Sequence, residues 1–223
     1  MDFERARFNM VEQQVRPWNV LDQDVLELLF RVKREDFVPP AARNLAFSDI
    51  EIPLDIGDAR TGEQMMSPKL EARIVQAVAP RKHEHVLEIG AGSGYLAALL
   101  SHRARQVRTL ERLPALARFA ADNLKRAGIV NVTVDEKDGS SSLALGDQRY
   151  EVIVLSGSVP YLPDAWPQRL AVGGRLIAIV GEAPVMTLRL ITRRSETAFT
   201  TEDLVETAAK ALVGFPRKSQ FSF

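Results

Sequence analysis

The sequence predicts an α/β fold: a doubly wound, mostly parallel sheet preceded by a helical N-terminal extension. Three observations lead there. From His85 onward, short apolar runs rich in Val, Ile and Leu alternate with helical stretches, as parallel strands joined by crossovers require. The first run, Val86-Leu87-Glu88-Ile89, opens directly into Gly90-Ala91-Gly92-Ser93-Gly94, where a sheet of this kind turns from strand to helix. Residues 1–80 lack the alternation and read as helices punctuated by Pro39-Pro40 and Ser67-Pro68.

In the extension, Asp22 is a helix N-cap, and Val25, Leu28, Leu29 and Val32 follow at helical spacing. Residues 50–54 read as a short strand. Ser67-Pro68 starts another helix, with Leu70, Ile74, Val75 and Val78 as its apolar stripe. The unit from residue 81 to 223 then runs strand 86–89, helix from 95, strand 106–110, helix 113–127 and strand 132–134. Strand 152–155 and a short helix at 163–170 follow, and the Gly173-Gly174 turn leads into strand 175–180. Residues 185–192 and 199–207 form an antiparallel edge pair.

Composition narrows the function. The chain has 223 residues, 46% hydrophobic and 26% charged, so it can bury a substantial core. Lys plus Arg and Asp plus Glu are equal at 29 each, so no global field gathers a nucleic acid or an anionic membrane. Cysteine is absent, which removes disulfides, thiolate metal sites and cysteine nucleophiles. His83, His85 and His102 show no ligand spacing, so no metal is expected. The N-terminus Met1-Asp2-Phe3-Glu4-Arg5 carries charge rather than an apolar run, and no stretch reaches the ~20 apolar residues of a membrane span. The expectation is a soluble, cytoplasmic protein.

The glycine loop specifies a nucleotide. A dinucleotide fingerprint would place glycine at position 95, where this chain has Tyr95. Glu88, at the mouth of the loop, would repel a pyrophosphate. It would attract S-adenosylmethionine, which carries a sulfonium and an ammonium and no phosphate. Glu111 closes the second strand about 20 residues after the first glycine, where a carboxylate can accept both ribose hydroxyls. Asp138-Gly139, after the third strand, suits the adenine amino group, with the glycine leaving room for the ring. The cofactor-binding set is therefore Glu88, Gly90, Ala91, Gly92, Gly94, Tyr95, Glu111, Arg112, Asp138 and Gly139, for S-adenosyl-L-methionine and its product S-adenosyl-L-homocysteine.

Glu88-x-Gly90-x-Gly92-x-Gly94, Glu111, Asp138 and Gly173-Gly174 resemble the class I methyltransferases, which have a Rossmann-like fold. The lead-in Val32-Lys33-Arg34-Glu35-Asp36-Phe37-Val38-Pro39 and Ala46-Phe47-Ser48-Asp49 is similar to the protein-L-isoaspartate O-methyltransferases. So are Leu87 to Tyr95, Gly173-Gly174-Arg175-Leu176 and the C-terminal Leu212-Val213-Gly214. The resemblance implies methylation of the α-carboxyl of L-isoaspartyl residues in damaged proteins. The ester then closes to a succinimide that reopens partly as aspartate. It also implies that residues 1–80 contribute to the acceptor site. That family carries Gln-Thr-Ile-Ser-Gln-Pro where this chain has Gln64-Met65-Met66-Ser67-Pro68-Lys69.

Ser67 is the one position to which the family's role of orienting the substrate carboxylate transfers. As a residue before proline it is equally a helix N-cap. The altered stretch leaves open a different small-molecule or protein acceptor, or a cofactor-binding protein without turnover. Lys69 reads as a solvated cation or an attractor of anionic substrate. Tyr161 and Trp166 read as packing or as acceptor-pocket walls, and residues 215–223 as a tail or a strap over the pocket. A base methyltransferase would want an Asn/Asp-Pro-Pro-aromatic stretch where this chain has Leu155-Ser156-Gly157-Ser158. The oligomeric state is not written in the sequence.

Overall fold

In the computed structural model, which describes residues 2–141, 145 and 147–217, helix α1 (Phe3–Met10) starts at Asp2. The Asp2 carboxylate accepts the Arg5 amide at 3.1 Å. A π-helical turn (Val11–Val15) and a 3-10 turn (Arg16–Trp18) continue it to Asn19, whose left-handed backbone ends the run. Asp22 caps α2 (Gln23–Arg31) by accepting the amides of Asp24 and Val25, as the sequence predicts. Helix α3 (Pro68–Val78) begins with Pro68 in its first turn, where a missing N–H leaves no donor unsatisfied.

The strand predicted at 50–54 contracts to two residues, β1 (Ile52–Pro53). It pairs antiparallel with β2 (Gln64–Met65), which the sequence did not disclose. Two residues are too few for any periodicity.

The main sheet, seven-stranded among the described residues, contains β3 (His85–Ile89), β4 (Gln106–Glu111), β5 (Val132–Glu136), β6 (Tyr150–Val159), β7 (Leu170–Glu182), β8 (Val185–Arg193) and β9 (Phe199–Thr207). Their spatial order is β5-β4-β3-β6-β7-β8-β9. The first five run parallel, and β8 and β9 complete an antiparallel edge. Helices α4 (Tyr95–Ser101) and α5 (Pro114–Arg126) make the crossovers on one side of β3.

Strand alternation divides the core. Val86, Val107, Val152, Val154, Ile177 and Ile179 pack with α3, α4, α5 and the extension. Leu87, Ile89, Leu110, Ile153, Leu155 and Leu176 form the opposite face, covered by Trp166, Leu170 and Phe215. One apolar cluster thus runs from Met10 to Leu188, joining the extension to the sheet. Polar links reinforce the junction. Asn123 donates to the Phe37 and Ser93 carbonyls at 3.3 and 2.9 Å, and Arg103 pairs with Asp22 at 3.0 Å.

Two sequence expectations need correction. The helix expected at 163–170 is a single 3-10 turn, Pro167–Arg169, after which Leu170 already belongs to β7. Pro167 lacks the N–H that an α-helix beginning at Pro163 would use at its fifth position. Gly173-Gly174 does not precede the fifth parallel strand but sits inside β7. Its register against β6 jumps from Tyr150↔Leu170 to Val152↔Arg175, so the glycine pair forms an irregularity in a continuous strand.

Candidate active site

Strand β3 lies between β4 and β6, so the order reverses beside it and a crevice opens at the carboxyl ends of the strands. The glycine loop fills that position. Gly90, Gly92 and Gly94 all have positive φ (93°, 52° and 82°), a region that side chains make costly. At Gly94 a Cβ would also stand 3.1 Å from the Ala120 carbonyl of α5. Glu111, at the end of β4, holds the loop in place. Its Oε2 accepts the Gly92 amide and its Oε1 the Leu113 amide, each at 3.0 Å. Asp138 Oδ1 accepts the Ser140 amide at 2.8 Å, turning the chain after β5. The bare Cα of Gly139 rests on Ile89, whose Cγ2 a Cβ would meet at 2.8 Å.

These elements enclose a cavity of about 580 Å³ including its open mouth. Gly90, Gly92, Glu111, Arg112, Asp138 and Gly139 all line it, brought together from three strand ends. Leu54, Glu63 and Gln64 of the extension close one side, and Leu212, Val213 and Phe215 another. The C-terminal segment is anchored to β6: the Ser158 amide donates to the Lys210 carbonyl, and the Leu212 amide to the Ser158 carbonyl (2.9 and 2.8 Å). Gly157 admits it, since a Cβ there would lie 2.9 Å from Leu212 Cγ. Of the residues expected to be a tail or strap, Phe215 is buried and stacked on Trp166 at 5.8 Å. Residues 218–223 lie outside the described residues.

A smaller cavity of about 270 Å³ adjoins the first behind the loop, sharing Gln64, Gly90, Gly92 and Ser156 with it. Glu88 and Ala91 line this one, with Met65, Met66 and Glu71 opposite. Glu88 is fully buried; Ser156 Oγ donates to its Oε1 at 2.9 Å, and Oε2 has no hydrogen-bond partner. Burial pushes the Glu88 carboxyl up to about 8, and the neighbouring charges of Glu71 and Glu111 add to the rise.

Four sequence candidates stand elsewhere. Tyr95 lines neither cavity: its buried ring meets Phe37 edge-on at 5.5 Å and carries the Arg34 guanidinium at 5.1 Å. Gly94 is likewise outside both, at the start of α4. Ser67 is half-buried at the N-cap position of α3, yet its side chain makes no capping hydrogen bond. Its neighbours Gln64, Met65 and Met66 reach the cavities, whereas Ser67 lines neither. Lys69 is engaged by Asp49 at 2.5 Å and lies over the Trp18 ring. Glu63 and Glu71 were missed, because nothing in a linear sequence says which acids of the extension turn toward the sheet.

A glycine loop at the strand-order reversal, an acid ending the next strand and an Asp-Gly turn after the third define a nucleoside-binding transferase of the α/β methyltransferase class. The chain belongs to the protein-L-isoaspartate(D-aspartate) O-methyltransferase family, whose model matches residues 6–214. It is 39% identical to protein-L-isoaspartate O-methyltransferase 1 of Rhodopseudomonas palustris (strain HaA2), over 95% of this chain and 84% of that protein. A second relative, the Syntrophotalea carbinolica protein-L-isoaspartate O-methyltransferase, is 38% identical over 96% of both chains. In structure, the chain is similar to a Plasmodium falciparum protein described as a protein-L-isoaspartate O-methyltransferase, in complex with S-adenosyl-L-homocysteine. The TM-score is 0.74 at 19% identity, covering 95% of this chain and 98% of that one, a likeness of fold.

Proposed function

We propose that the protein methylates the α-carboxylate of L-isoaspartyl residues in damaged proteins, with S-adenosylmethionine as the methyl donor. The observation that carries this reading is the convergence of Gly90, Gly92, Glu111, Asp138 and Gly139 on one cavity in a chain of this family. The donor fits the residues present. Glu88 Oε2 is a buried acceptor without a partner, suited to a cation, and the glycines leave bare backbone where a nucleoside would lie. Glu111 would hold the ribose hydroxyls and Asp138 the adenine amino group, with Arg112 and Ala91 as flanking contacts.

When bound, the donor supplies an electrophilic methyl group on a sulfonium, a good leaving group. The acceptor carboxylate, with an ordinary pKa near 4, is already ionised at pH 7, so no general base is needed. The chain's part is to exclude water and align the partners, which can lower a barrier by ~7–11 kcal/mol. Residues 1–80 form the acceptor side in this reading. Ser67, whose hydroxyl is not used as a cap, is the proposed contact to the acceptor carboxylate. The charge-balanced composition suits a protein substrate better than a nucleic acid. Among the described residues, no helix is long and apolar enough to cross a membrane.

Incubation with methyl-labelled donor and an isoaspartyl peptide, beside its aspartyl counterpart, tests the proposal. Label should enter the isoaspartyl peptide alone. Good donor binding with neither peptide labelled would instead favour another acceptor, the reading that the Met65-Met66-Ser67-Pro68-Lys69 departure supports. Ser67→Ala should raise the KM for peptide; an unchanged KM and kcat would remove Ser67 from the site.

A further inference from the structure

The smaller cavity has two carboxylates in its wall, and the reading above uses one. Alternation along β3 turns Glu88 toward the extension, while α3 presents Glu71 to the same space. Both are buried, at 0% and 2% exposure. Arg34, itself fully buried, clamps this wall from behind: one guanidinium nitrogen donates to Glu71 Oε2 and another to the Met66 carbonyl at 2.6 Å. Only one Glu71 oxygen takes part in that bond. Across the cavity Glu88 Oε2 is buried without a partner. The Thr109 hydroxyl of β4 lies beside Glu88 but makes no hydrogen bond of normal geometry with it, so this oxygen keeps room for a donor, and buried polar atoms are nearly always satisfied.

Charge selects the donor. With both acids ionised, two carboxylates against one guanidinium leave the wall net negative, and none of the residues lining the smaller cavity is a cation. Burial pushes Glu71 up to about 7, with Arg34 opposing the rise. Tyr95, Glu35 and Arg7 complete the ionisable groups grouped around Arg34 and Glu71. A cation entering between the two acids would displace protons that they otherwise retain.

We propose that Glu71 is a second anionic contact of the donor's amino-acid end, holding its ammonium group together with Glu88. The proposal rests on the methyltransferase reading and extends it, since it makes helix α3 of the extension part of the donor site. The competing role is that Glu71 merely neutralises Arg34.

Titration calorimetry separates the two with a pair of ligands. S-Adenosyl-L-homocysteine carries the ammonium and a carboxylate; 5′-methylthioadenosine has the same nucleoside and neither group. Glu71→Gln keeps an acceptor for Arg34 while removing the charge. It should weaken S-adenosyl-L-homocysteine by about 10- to 100-fold, the worth of a charge-assisted hydrogen bond, and leave 5′-methylthioadenosine unchanged. Losing a negative charge would favour the ligand's carboxylate, so a selective loss reports the ammonium. Equal effects on both ligands, or none, would overturn the proposal.

Should that variant not fold, the apolar replacement Arg34→Met with Glu71→Leu serves, because removing both members of a buried pair is often tolerated. The same selective loss is expected from it. Proton release gives an independent readout: between pH 7 and 8 the wild type should release protons on binding S-adenosyl-L-homocysteine, and Glu71→Gln fewer. Binding of neither ligand to the wild type would sink the methyltransferase reading itself; binding of both with an unchanged ratio sinks only the role of Glu71.

Discussion

Both oxygens of Glu111 accept amides of the chain itself, from Gly92 and Leu113. A carboxylate has lone pairs for further donors, so the residue can fix the loop and hold a ribose at once. Glu111→Ala should therefore weaken nucleoside binding by about 10- to 100-fold, as loss of charge-assisted hydrogen bonds implies. Calorimetry with S-adenosyl-L-homocysteine reads the change directly. Gly94 makes a contrasting case. It lines neither cavity of the site, but its φ of 82° and the Ala120 carbonyl beside it leave no comfortable place for a side chain. Gly94→Ala should cost about 1–2 kcal/mol of stability, measured as a lower denaturation midpoint, because a side chain in the left-handed region is strained.

At the scale of elements, Arg175 shows what the glycine-glycine-arginine run does. From β7 it donates to the Val78 and Ala79 carbonyls at the C-terminal end of α3, and it pairs with Glu84 at 2.7 and 2.8 Å. Burial opposes ionisation of Glu84, yet the Arg175 bonds hold its carboxyl below the usual range. One side chain thus fastens α3, which carries Glu71, to the sheet that carries Glu88. Arg175→Met would leave the buried Glu84 with the Arg81 amide but without its guanidinium, and should destabilise the protein by about 3 kcal/mol. Thermal unfolding would register this, with a Tm near the wild-type value counting against it. The irregular register of Gly173-Gly174 follows from the same place: at Gly174 a Cβ would lie 2.9 Å from the Glu151 carbonyl of the adjoining strand.

Across the whole molecule, the extension and the sheet share one apolar cluster, with acids enclosed at their junction. Glu71 and Glu88 have folded pKa values of about 7 and about 8, above the 4.5 of an exposed glutamate. Between about pH 4.5 and 8 the folded state therefore binds more protons than the unfolded chain, and stability falls as pH rises through that window. Without ligand, Tm should drop from pH 5 to pH 8; S-adenosyl-L-homocysteine should flatten the slope by supplying a cation in place of the protons. A Tm that rises over this range would contradict the burial of these acids.

The strands, the glycine loop and the acids after β4 and β5 were legible because each is written locally. Alternating apolar runs, positive-φ glycines and strand-end carboxylates follow from neighbours in sequence. The Asp22 cap was legible for the same reason. Tertiary structure alone decided the rest, since it depends on contacts between residues far apart in the chain. It turned Tyr95 into the core and set Glu71 opposite Glu88. It also brought residues 212–215 over the pocket and shortened the 163–170 helix to a turn. The proposed nucleoside site is thus written in local sequence. Whatever closes over it comes from packing, where burial and charge balance fix which side chains face inward.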